Sequence, residues 1–321
     1  MNNNKLIVSY APHWHDGSRI STRNINIMIA AFPALIVGVI IYGMPALSVV
    51  TLSIGSAMLA ELLINLVARK ELSIDDGSAA VSGLLLGMLL PASAPWWLVV
   101  IGAFAAIIIG KQLFGGIGAN PLNPTLIGFA IIMISWKGHL NFDEALLNYD
   151  PGFVMAYPLA ALKHFGVAAT DKYDLMNLLI GKQSGGIGAV CGLGLLIGGI
   201  YLILRGFIRW EISLSFLVGV LITAFLFNIA NPEKYASPMF HLLTGNVMLG
   251  AFFLATDDTT SPVNFIPMLI FGLACGIMTV LIRCTGLYYD GVVFAILLMN
   301  IINPLLDKIS PKAIGKVVEN A

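Results

Sequence analysis

The chain has 321 residues, 58% of them hydrophobic and 11% charged, with a mean hydropathy of +0.89. Soluble domains carry about 25% charged residues, so this composition excludes an ordinary soluble domain and predicts an all-α polytopic membrane protein. Lysine plus arginine and aspartate plus glutamate both total 17, so net charge points neither to nucleic acid nor to an acidic partner.

About 25 mostly polar residues come first, without the short apolar core and small-residue cleavage site of a removable leader. Within them, His13 and His15 of Pro12-His-Trp-His-Asp16 lack a third ligand nearby. They read as a surface strip with Trp14 at the membrane interface rather than as a metal site. A spanning helix needs roughly 20 apolar residues, about 17 at the short end. On that rule ten segments follow, at 27–43, 46–67, 78–92, 96–110, 123–136, 187–204, 212–230, 239–256, 264–282 and 290–306. Segments 78–92 and 123–136 are too short to cross comfortably alone, which predicts half-helices or steep short spans. Trp96-Trp97 reads as part of an interfacial belt. Cys191, Cys275 and Cys284 are scattered, mostly in apolar runs, and read as small buried residues.

With the N-terminus inside and ten crossings, 11 of the 17 Lys and Arg residues fall on the inner side, which predicts that both termini are cytoplasmic. The division expected is a cytoplasmic segment 1–26, a first membrane repeat 27–136, an extracytoplasmic segment 137–186, a second repeat 187–306 and a cytoplasmic tail 307–321. Ser82-Gly-Leu-Leu-Leu-Gly-Met-Leu-Leu-Pro91 echoes Thr244-Gly-Asn-Val-Met-Leu-Gly-Ala-Phe-Phe-Leu-Ala-Thr256. Five segments per half is an odd number, so the two repeats are expected in opposite orientations, with broken helices facing each other and a site between them.

Three stretches offer chemistry. Glu61, inside the second apolar run, is an ion or coupling candidate, because a carboxylate in a membrane costs a few kcal/mol or more; the alternative is a pair with Arg69 or Lys70 near the helix end. Asp257-Asp-Thr-Thr-Ser-Pro262, with Thr260 and Ser261, can coordinate a cation or hydrogen-bond a polar ring; the alternative is a capping turn that starts a helix at Pro262. Gly110–Thr125 holds four glycines and two Asn-Pro steps, through which no helix runs. Its Gly115, Gly116, Asn120 and Asn123 offer amides to an anion or a flavin. Neither a GxGxxG turn nor a P-loop is present.

The blocks Phe32-Pro-Ala-Leu-Ile-Val-Gly38, Gly83-Leu-Leu-Leu-Gly87, Gly110–Pro124, Gly185-Gly-Ile-Gly188, Met248–Asp257 and Asp290–Asn300 lie in an order that resembles the RnfD/NqrB family, nearer RnfD. Ala11-Pro-His13, Asp76-Gly-Ser78, Thr260-Ser-Pro-Val263 and Pro304-Leu-Leu-Asp307 extend the likeness over nearly the whole chain. The resemblance implies a ten-helix electron-transfer subunit with two inverted five-helix repeats, in the inner membrane. Its complex would couple electron transfer between ferredoxin and NAD⁺ to Na⁺ or H⁺ translocation. Partners implied are related membrane subunits, a flavin subunit and iron–sulfur subunits. The family's FMN, held through phosphate on a threonine of a Ser-Gly-Ala-Thr-Pro-Leu type motif, meets Tyr157 here, in Val154-Met-Ala-Tyr-Pro-Leu159. Thr170 is an alternative acceptor without the following Pro-Leu. FMN is therefore not expected at the usual position; it is expected to be held non-covalently, attached at Thr170, or absent. Gly110–Thr125, on the predicted cytoplasmic side, is expected to serve helix crossing, partner docking or a second redox or ion site. A stand-alone channel or transporter for a small neutral or cationic solute also suits broken helices and few charges.

Overall fold

A computed structural model describes residues 19–69, 73–143 and 156–309. The His13/His15 strip, Lys70, Val154 and Met155 of the motif above, and the tail beyond Ile309 fall outside these residues. Regular structure among the described residues is entirely helical. Five apolar stretches are long enough to span a bilayer: Ile20–Tyr42 (α1), Met44–Val67 (α2), Trp96–Phe114, Trp210–Ala230 (α9) and Phe265–Thr285 (α12). Trp96–Phe114 consists of helix α4 (Trp96–Ile108) and the 3₁₀ turn Gln112–Phe114 after it. Shorter apolar helices are α3 (Ser78–Leu89), α5 (Pro124–Ser135), α8 (Gly192–Leu204) and α13 (Val292–Leu306). Small helices α6 (Pro158–Phe165) and α7 (Leu175–Ile180) lie in the segment between α5 and α8.

Segment 239–256 does not form one helix. It divides into α10 (Pro238–Leu243), the short α11 (Val247–Leu249) and a π turn over Gly250–Leu254. The break falls at Thr244-Gly245, where Gly245 takes φ +68, a conformation open to glycine and costly to other residues. Helix α12 starts at Phe265, not at Pro262 as the capping reading requires, and Asn264 ahead of it makes no side-chain cap.

Helix α3 ends inside the protein, with Met88, Leu89 and Leu90 fully buried. A buried helix end needs partners for its last carbonyls. Here the Gly188 N–H donates to Met88 O (2.9 Å) and the Ile187 N–H to Leu90 O (3.0 Å). Gly186 permits this approach, since a Cβ there would sit 2.8 Å from the carbonyl oxygens of both Met88 and Leu89.

The two halves share part of a packing pattern, although the α1–α2 and α3–α4 contacts of the first have no equally close counterpart in the second. In the first, α2 contacts α3 and α4, α4 contacts α5, and α3 contacts α1 and α5. In the second, α9 contacts α10, the π turn and α12, α12 contacts α13, and the π turn contacts α8 and α13. The halves meet where α1 packs on α8 and α5 on α13. Gly194 and Gly198 of α8 face Ala34 and Ala30 of α1, the small-residue contact that lets two membrane helices approach closely.

Candidate functional site

Helices α1, α3 and α5 begin, and α8 and the π turn end, at one end of the bundle around a cavity of about 280 Å³. Its walls are apolar, from Ile27, Val81, Leu85, Leu202, Phe252 and Phe253, and its rim is polar, from Arg23, Ser78, Lys111, Asn120 and Asp257–Thr259. The tertiary structure thus brings together two of the three stretches that stood apart in sequence. Asn120 Nδ2 donates to Thr259 Oγ1 at 2.7 Å, and Asn123 Nδ2 to Leu254 O at 3.0 Å. Asn123 also caps α5, accepting from the Leu126 N–H, with Pro124 at the first helical position.

Asp257 folds its own turn: Oδ2 accepts from the hydroxyls of Thr259 (2.8 Å) and Thr260 (3.1 Å), and its carbonyl from the Ser261 N–H (3.0 Å). Burial raises the Asp257 carboxyl above its ordinary range, opposed by those two hydroxyls and by Arg23. Arg23 pairs with Asp258 at 2.8 Å across the mouth. Gly115 and Gly116 take left-handed φ values of +119 and +108, which turn the chain between the 3₁₀ turn and Asn120.

The third stretch joins through Lys111. Among the described residues Glu61 pairs not with Arg69 but with Lys111, at 2.6 Å and 50 residues further on; Lys70, the other cation near it in sequence, lies outside the described residues. Both side chains are buried. Glu61 Oε1 also accepts from Ser73 Oγ (2.8 Å) and Gln112 Nε2 (3.1 Å), while the buried Oε2 has no partner among the described residues. Lys111 Nζ donates in addition to Ser78 Oγ at 2.5 Å, and Ser78 Oγ to Asp76 Oδ1 at 2.5 Å. A continuous polar chain therefore runs from Asp76 to the interior carboxylate. In sequence Lys111 and Arg23 stand out only as positive charges near apolar runs; the signal for Lys111 is its isolation between an apolar run and a glycine cluster.

Tyr157 and Thr170 lie elsewhere. Tyr157 is buried in a second, smaller core with Leu159, Leu178, Ala236 and Phe240. It stacks on Phe142 (centroids 5.0 Å apart) and meets the edge of Tyr289 at 6.5 Å. Burial pushes its hydroxyl well above the ordinary tyrosine range, and Asp290 adds to the effect. Thr170 Oγ1 is engaged by Val167 O at 2.7 Å, within its own 3₁₀ turn. A packed phenol and an internally bonded hydroxyl do not fit the acceptor of a phosphoester-linked flavin. Beside Tyr157, Arg283 binds Asp290 Oδ1 through Nη2 (2.9 Å) and Nε (3.1 Å), His241 O (2.6 Å) and Thr244 O (3.0 Å), tying down the helix break. Lys163 donates to the carbonyls of Gly286 and Tyr288, and His164 bonds the Tyr289 hydroxyl, which fixes α6 on the turn between α12 and α13.

A bundle of apolar helices around a buried polar network and a half-lined cavity defines a helical membrane protein with an internal site. The chain belongs to the NQR2, RnfD, RnfE family, whose model matches residues 7–315. It is 38% identical to the D subunit of the Na⁺-translocating ferredoxin:NAD⁺ oxidoreductase complex of Acetobacterium woodii, over 99% of this chain and 98% of that one. It is 36% identical to the D subunit of the ion-translocating oxidoreductase complex of Pectobacterium carotovorum (96% and 98% covered). The D subunit of the proton-translocating ferredoxin:NAD⁺ oxidoreductase complex of Clostridium ljungdahlii is 35% identical (95% and 94%).

Proposed function

We propose that this chain is the D-type membrane subunit of an Rnf complex, an ion-translocating ferredoxin:NAD⁺ oxidoreductase, and that it acts only with its partners. The observation that carries this reading is near-full-length similarity to D subunits of Na⁺- and H⁺-translocating complexes, in a chain whose own residues build a charged network beside a cavity. The polypeptide supplies no redox centre of its own, so a bound cofactor has to carry electrons.

The cofactor proposed is a non-covalently held flavin, its ring system in the cavity. Apolar walls suit the faces of a fused ring, and the Lys111 ammonium, with an N–H left over from its bonds to Glu61 and Ser78, suits its polar edge. A bound flavin would accept two electrons and release them singly; the chain's part is to orient the ring and exclude water. Ile117 lines the cavity from a loop and is partly exposed. Ile117→Trp is expected to lower the flavin released on denaturing the purified complex. Unchanged flavin content would refute the cavity as its site.

The architecture proposed is ten crossings in two inverted repeats, in the inner membrane with both termini cytoplasmic and the cavity facing the cytoplasm. The packing shared by the two halves and the α1–α8 and α5–α13 contacts support it. A reporter active only in the periplasm, fused after Asn148, is expected to be active, and silence there would refute the topology. Iron–sulfur and flavin subunits are the proposed partners; a chain that purifies alone and conducts solute would refute this reading in favour of a transporter.

A further inference from the structure

We infer that Asn300 is a positioning residue for the cavity, fixing how its wall and its rim stand to each other; this rests on the reading of the cavity as the flavin site. Asn300 lies in α13, is 2% exposed and does not line the cavity. It is an amide at the end of an apolar run, Val292-Val-Phe-Ala-Ile-Leu-Leu-Met-Asn300. A buried amide costs free energy unless its donor and acceptor are used. The orientation that satisfies its neighbours has Nδ2 donating to Thr260 O (3.2 Å) and Ile296 O (3.3 Å), and Oδ1 accepting from the Asn123 N–H (3.2 Å).

Two of those bonds join the two halves of the chain. Asn123 belongs to the wall at the start of α5, and Thr260 to the turn that carries Asp257–Thr259 on the rim. On the cavity side the same two segments are linked by the Asn120–Thr259 and Asn123–Leu254 bonds, both made by side-chain amides of the wall. Asn300 holds the two backbones from outside the cavity, through an N–H and a carbonyl that cannot swing away as side chains can. About two helical turns further along α13, Asp307 Oδ1 accepts from the Val263 N–H (3.3 Å), so the helix grips the turn at two points on one face. The spacing of wall and rim is thereby tied to the seat of α13 on α5, where the halves meet. Asparagine suits this place because one short, uncharged side chain offers both a donor and an acceptor.

The test compares the native chain, Asn300→Leu and Asn300→Asp in the purified membrane complex, with two readouts. One is the rate of flavin loss into flavin-free buffer, counting only the flavin that Ile117→Trp lacks. The other is hydrogen exchange of the Asn123 amide, read by mass spectrometry and corrected for the intrinsic pH dependence of exchange. Leucine makes neither bond, so Asn300→Leu is expected to speed both by roughly tenfold at every pH, the net worth of about one hydrogen bond. Aspartate keeps the acceptor for Asn123 but has a donor for Thr260 only when protonated. Asn300→Asp is therefore expected to match Asn300→Leu at about pH 8 and to approach the native rates as pH is lowered to about 5, a recovery that lost packing alone does not give. Native flavin loss in Asn300→Leu, with or without faster exchange, overturns the inference, and so does an Asn300→Asp variant that acid fails to restore. Flavin unchanged in Ile117→Trp, with exchange as expected in both Asn300 variants, overturns the cavity as the flavin site and leaves the positioning of wall and rim standing.

Discussion

Replacing Lys111 by Met isolates the energetics of the buried pair. At 2.6 Å and an effective dielectric of about 20, the gross attraction between Lys111 and Glu61 is about 6 kcal/mol. Desolvation of both charges offsets much of it, so the pair itself adds little over apolar side chains. Removing one partner is different. Lys111→Met strips Glu61 of its cation and one of three donors to Oε1, and Glu61 itself is closed to solvent. Breaking a buried pair in this way costs about 3–5 kcal/mol. Ser78 keeps its bond to Asp76 Oδ1, so the start of α3 should hold. The double variant Glu61→Leu/Lys111→Met leaves two apolar side chains and is expected to recover most of the loss. The assay is a thermodynamic cycle on the purified protein in mixed micelles, titrating SDS and following helicity by circular dichroism. An interaction energy of about 2 kcal/mol or more is expected. Strictly additive losses, with the double variant as unstable as the sum of the singles, would refute the claim that these two charges compensate each other.

Other outcomes follow from the same geometry. The native chain is expected to give no fluorescent band after SDS denaturation, whereas Tyr157→Thr rebuilds Ala-Thr-Pro-Leu over 156–159 and should give one in cells that attach FMN to threonine; a band from the native chain that Thr170→Ala abolishes would refute this. Tyr157 holds its proton above the pH at which an unfolded tyrosine releases it, about 10. Its contribution is therefore complete below that pH and is lost as pH rises further, so Tyr157→Phe should flatten the alkaline loss of stability read by circular dichroism; an unaltered alkaline limb would argue against burial of the phenol. Gly186→Ala should cost about 1–3 kcal/mol in the same SDS titration, because its methyl meets the Met88 and Leu89 carbonyls; no loss would mean that the junction is looser than described.

Composition and run length alone determined the class, the positions of the long apolar helices and the breaks at Gly110–Thr125. These depend on local physics: apolar length against bilayer thickness, and proline and glycine chemistry within a few residues. The same logic failed at 239–256, where hydropathy is continuous but Gly245 turns the backbone and Arg283, from another helix, holds the break. At Glu61 the sequence offers Arg69 and Lys70 as near cations, but the partner the structure shows, Lys111, lies 50 residues further on. The site was legible only as fragments. Asn120, Asn123, Asp257 and Thr260 each stand out in sequence, but nothing local says that Asn120 bonds Thr259, 139 residues away, or that Tyr157 belongs to a different core. Periodicity and punctuation are properties of neighbours in the chain. Which buried charge meets which, and what space is left between them, is decided by how the two halves pack, and only the tertiary structure holds that information.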